Sequence, residues 1–79
     1  MKNAGYTIEE VEPVYEEYGY YFGIALGHNE RSGMWVTWCF KKSTTKPEEI
    51  DFFWGHYFDR QKDALIDYHE RIVAEYKTT

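Results

Sequence analysis

Tyr20 to Lys42 reads YYFGIALGHNERSGMWVTWCFKK, and the spacing of its apolar residues decides the fold. Within a longer Tyr- and Phe-rich run from Val14 to Leu26, the residues Tyr20, Phe22, Ile24 and Leu26 alternate with Tyr21, Gly23, Ala25 and Gly27. In the second run Met34, Val36, Trp38 and Phe40 alternate with Trp35, Thr37, Cys39 and Lys41. A period of two belongs to extended strands, and the polar loop His28 to Gly33 predicts an antiparallel hairpin over about residues 14–42. Phe22, Ile24, Leu26, Val36, Trp38 and Phe40 are expected to form its core face. The other face, Gly23, Ala25 and Gly27 with Trp35, Thr37 and Cys39, leaves a shallow trough in which Trp35 and Tyr21 stand exposed.

Outward from the hairpin, Thr45 and Glu48 have the spacing of a capping box and Pro47 suits a first helical turn, so a short helix is expected at 46–50. Phe52 to Phe58 is dense in aromatics and interrupted by Gly55, which favours a third strand over a helix. Asp59 is placed to cap a helix over about 60–76, with Gln61, Leu65, Tyr68, Ile72 and Tyr76 on its inward face beside Ala64. Thr7 to Val11 suits a short strand or a helical turn, and propensity does not separate them. The expected architecture is α+β, a small antiparallel sheet packed against one C-terminal helix, in a single domain over 1–79.

The 79 residues include one cysteine, Cys39, which excludes an intramolecular disulfide and a multi-cysteine zinc site. A reducing cytoplasm is the expected compartment. No segment approaches the roughly 20 apolar residues that span a bilayer, and Met1 to Gly5 lacks a basic region followed by an apolar run, so a soluble, unexported protein with no membrane partner is expected. The net charge of −5 is uneven: residues 1–20 carry −4, residues 21–46 carry +3 and residues 47–79 carry −4. Nucleic-acid binding usually requires a basic surface, so this balance points away from direct contact with nucleic acid and toward a basic protein partner.

Motifs for chemistry are sparse. His28, His56 and His69 lack the i, i+4 spacing of a helical zinc site, and the best metal grouping, His56 with Asp59 and Asp63, needs the helix to begin early. Cys39 between Trp38 and Phe40 reads as a small buried hydrophobe before it reads as a nucleophile. Gly19, Gly23 and Gly27 recur every four residues but fall within a strand, where they relieve crowding instead of cradling phosphate. No enzyme, metal or cofactor is expected.

Two features point to binding. Asp59, Asp63, Asp67 and Glu70 follow helical spacings of four, four and three, and such a row can imitate a run of phosphates; Glu16 and Glu17, with Glu9, Glu10 and Glu12, add a second acidic patch. Sixteen of the 79 residues are aromatic, more than so small a core absorbs, which leaves Tyr18, Tyr21, Trp35, Trp54 and Tyr57 as candidate interface anchors. The expected function is a small acidic inhibitor that occupies a basic, nucleic-acid-binding surface of a partner complex, as an anti-defence (anti-CRISPR-like) protein of a phage or mobile element does. The alternatives are a single-strand nucleic-acid binder using Trp35, Tyr21 and Lys41, and a self-associating protein whose surplus rings cover one another.

Overall fold

A computed structural model describes residues 1–78 as five strands and one helix. The elements are β1 (Lys2–Asn3), β2 (Tyr6–Glu17), β3 (Tyr20–His28), β4 (Trp35–Ser43), β5 (Ile50–Phe58) and α1 (Gln61–Thr78). Every neighbouring pair is antiparallel and the strand order β1-β2-β3-β4-β5 follows the chain, giving an α+β fold with a curled half-barrel sheet. Among the described residues, no helix is long and apolar enough to cross a membrane.

Four readings of the elements are changed or, for Thr7 to Val11, settled between the two alternatives. The run from Val14 to Leu26 is not one strand, because Tyr18 (φ 53°) and Gly19 (φ 80°) form a two-residue turn that pairs Glu17 with Tyr20. Two successive positive φ values define a type I′ turn, whose twist matches that of the flanking strands. Gly19 therefore belongs to the turn and not to a strand. Ala4 (φ 51°) and Gly5 (φ 85°) make the same turn between β1 and β2, so Thr7 to Val11 is strand. The third change concerns 46–50, where no helix forms. The hydroxyl of Ser43 accepts from the amides of Thr45 (3.3 Å) and Lys46 (3.0 Å), and the amide of Glu49 reaches the carbonyl of Lys46 (2.8 Å), so a Ser-anchored turn carries the chain directly into β5.

The fourth change is the register, and it redistributes the core. Asn29 Oδ1 accepts from the amides of Arg31 (3.0 Å) and Ser32 (3.1 Å), the amide of Asn29 reaches the carbonyl of Met34 (2.8 Å), and His28 stands opposite Trp35. An odd position on one strand thus faces an even position on the other. Ile24 pairs with Cys39 and Leu26 with Thr37 on the face that meets α1, while Gly23, Ala25 and Gly27 pair with Phe40, Trp38 and Val36 on the far face. Each bulky residue stands beside a small one, and the expected all-bulky face does not exist.

The helix-side core is Ile24, Leu26, Cys39, Ala64 and Tyr68, flanked by Trp35, Phe53, Phe58, Leu65 and Ile72. On the far face no helix covers Trp38, yet it is 4% exposed, because the sheet curls around it. Tyr6 meets its ring edge-on at 5.6 Å and Phe52 lies 5.3 Å away. A side chain at Gly55 would come within 2.9 Å of the indole nitrogen, and one at Gly27 within 3.2 Å of the opposite ring edge. These two glycines make the space that the ring fills.

Candidate functional site

Helix α1 presents its carboxylates differently from the expected row. Ala64 and Tyr68 are buried, and the inward face continues through Asp67, Arg71 and Glu75, so that Gln61 and Tyr76 lie on the exposed rim instead of inside. Asp67 is turned to the sheet: Thr37 Oγ1 donates to its Oδ2 at 2.6 Å, and His56 Nδ1 lies 2.9 Å from the same oxygen. Arg71 donates to the carbonyl and hydroxyl of Thr37 (3.0 Å each) and to Cys39 Sγ (3.0 Å). Asp63 holds Arg60 at 3.2 Å, while Asp59 and Glu70 are exposed. The row Asp59, Asp63, Asp67, Glu70 is therefore broken at its third member, which ties the helix to the sheet.

This polar cluster answers the chemical readings as well. His56 is drawn to Asp67 and not to Asp59 or Asp63, and among the described residues no three His, Cys, Asp or Glu side chains converge on a common point. Burial pushes the Cys39 thiol above its ordinary range despite the nearby Arg71 guanidinium, which works against a nucleophilic role. Thr37 is fully buried, and its hydroxyl donates to Asp67 while accepting from Arg71. Sequence reading missed Thr37 and Arg71. The available signal was Arg71 four residues after Asp67, flanking the Ala64 and Tyr68 stripe.

The second acidic patch lies along one strand, though not on one face of it. β1 pairs with Tyr6 and Thr7 and the Ile8 amide reaches the Met1 carbonyl (2.9 Å), so among the described residues no strand pairs with the outer edge of β2 beyond Ile8, and the strand carries Glu9, Glu10, Glu12, Glu16 and Glu17 with no Lys or Arg. Two register shifts, between Ile8 and Glu10 and between Pro13 and Tyr15, bend the strand and set Glu10, Glu12 and Glu17 opposite the helix-side residues Leu26, Ile24 and Tyr20. Glu16 pairs with Tyr21 and faces the other way. The negative field is felt on the helix: burial first, and then the charges of Glu10 and Glu12, push the Tyr68 phenol up to about 12. Tyr76 Oη reaches Glu12 Oε2 at 3.4 Å, and Glu9 lies 3.9 Å from His28.

The five aromatic anchors do not share a surface. Tyr18 is 89% exposed at the tip of its turn, Tyr21 and Tyr57 lie on the far face, and Trp35 is packed against the helix-side core with its ring stacked on His28 at 4.0 Å. Trp35 therefore leaves the exposed trough assigned to it, and it shares no surface with Tyr21. Trp54 stands apart. Thr37 pairs with His56 and Cys39 with Phe53, so Trp54 and Gly55 together oppose the single residue Trp38 in a β-bulge. Trp54 has φ 54° and is 73% exposed. Glycine normally fills that bulge position, and a bulky residue held there carries strain of about 1–3 kcal/mol.

The bulge sets Trp54 at the mouth of a cleft of about 160 Å³, lined chiefly by Tyr15, Phe22, Cys39, Phe53, Trp54 and Glu75. Tyr15 and Phe22 stack at 5.0 Å and Trp54 meets Phe53 edge-on at 5.1 Å. The chain matches no protein-family model, no curated protein and no solved structure.

Proposed function

We propose that this chain is a non-enzymatic binding module that occupies a basic, nucleic-acid-binding surface of a partner protein and thereby inhibits it. The observation that carries the reading is the outer edge of β2, a strand with five glutamates and no Lys or Arg, of which Glu10, Glu12 and Glu17 share the helix-side face. Alternate residues of a strand lie roughly 6.6 Å apart, so Glu10 and Glu12 stand at a spacing close to that of successive phosphates, and the other glutamates extend the negative edge that a groove built for phosphates attracts. The helix row contributes less than its spacing suggested, because Asp67 is engaged by Thr37 and His56. Direct nucleic-acid binding by Trp35, Tyr21 and Lys41 has little support, since Trp35 lies under α1 and Tyr21 on the opposite face.

Affinity capture from the cell of origin tests this function, with wild type beside Glu16→Lys plus Glu17→Lys. The expected partner is a nucleic-acid-binding protein that the charge-reversed variant fails to retain and that short duplex competitors release. Equal recovery by both variants, undiminished by competitor, rejects the proposal.

A further inference from the structure

We infer that the cleft between Trp54 and Glu75 is a receptor for one basic side chain, a lysine or arginine supplied by the partner protein. This inference rests on the proposed function and names the contact that gives it specificity. The argument begins with size. About 160 Å³ corresponds to roughly five waters, room for the end of a single side chain and well below the roughly 300 Å³ at which pockets for small molecules and cofactors begin.

The lining then selects charge. Tyr15, Phe22, Phe53 and Trp54 offer aromatic rings, whose faces attract cations, and Glu75 contributes a carboxylate to the same wall. The electrostatics agree with the geometry: after burial, Glu75 and Glu17 are the largest causes that raise the Tyr15 phenol, so the cleft resists a second negative charge. At the same end of the sheet, Lys41 already places its ammonium 4.7 Å from the centroid of the Tyr20 ring. Arg71 donates to Thr37 and to Cys39, whose side chain lines the cleft, and does not itself line it. Finally, the bulge holds Trp54 at the mouth with a backbone conformation that favours glycine, so the exposed indole is retained against local strain.

Titration of the labelled protein with Nα-acetyl-lysine amide and Nα-acetyl-arginine amide, followed by NMR, provides the test. Saturable shifts are expected at the Trp54 indole and at Tyr15, Phe22 and Phe53. The uncharged Nα-acetyl-norleucine amide should bind about tenfold more weakly or worse. Trp54→Gly, which suits the bulge and so retains the fold, should weaken binding about tenfold; Glu75→Gln should weaken the charged ligands selectively, and Ile66→Ala on the outer helix face should change nothing. Equal binding of the norleucine amide, or shifts unaltered by Trp54→Gly, overturns the inference. A charge-dependent partner that Trp54→Gly still captures fully removes the cleft and leaves the acidic edge; amides that bind without such a partner do the reverse.

Discussion

Two aspartates one helical turn apart show how little spacing says about a residue's work. Asp63 and Arg60 form an exposed pair across one turn, an arrangement worth a few tenths of a kcal/mol. Asp67 accepts from fully buried Thr37 and approaches His56, and through Thr37 it faces the Arg71 guanidinium. Removing it leaves the proton of a buried hydroxyl without its acceptor and an imidazole without its partner, while Arg71 keeps its bonds to Thr37 and Cys39. Asp67→Ala should therefore lower unfolding free energy by about 2 kcal/mol, whereas Asp63→Ala should change it by less than about 0.5 kcal/mol, both read from urea denaturation. Equal effects would return Asp67 to the solvated row.

At the level of elements, the β2–β3 hairpin contains a correctable weakness. Tyr18 occupies a left-handed position of a type I′ turn, where an L-residue with a bulky side chain is disfavoured by about 1–2 kcal/mol and asparagine by less. Tyr18→Asn should raise the thermal midpoint, with a gain of about 0.5–1 kcal/mol, and a fall would show that the ring has structural contacts beyond the turn. The same turn explains what was legible in the chain. Period-two alternation revealed β3 and β4, the aromatic segment revealed β5, and helical spacing located α1 within a residue or two at each end. The Tyr18–Gly19 turn escaped because Tyr is not a residue that announces positive φ, so β2 and β3 read as one run. Face assignment failed for a different reason: alternation fixes which residues of one strand share a side, but only loop closure at Asn29 and Met34 fixes the neighbour's phase. The cleft was out of reach, since it needs Tyr15, Phe53 and Glu75 from three elements and a bulge with no glycine at its first position.

For the molecule as a whole, the groups between helix and sheet make stability sensitive to alkali. Tyr68 titrates near 10.0 when unfolded and at about 12 when folded, chiefly through burial. Its protonated form is favoured by the fold, so this stabilisation is complete below pH 10 and is lost as pH rises toward 12, a fall of up to about 3 kcal/mol. Cys39 and Tyr15 are raised as well and act in the same direction, with the Cys39 loss beginning near its ordinary 9.0. Denaturation midpoints measured from pH 8 to 12 should hold to about pH 9 and decline above it, and Tyr68→Phe should flatten the decline above pH 10. A profile unchanged in that variant would assign the loss to other groups. A last consequence follows from strand order that simply follows the chain. Each strand finds its mate immediately behind it, so the sheet can assemble as a succession of local hairpin closures without waiting for distant segments to meet. The bonds from α1 to Thr37 span thirty or more residues and belong to the non-local part of the fold.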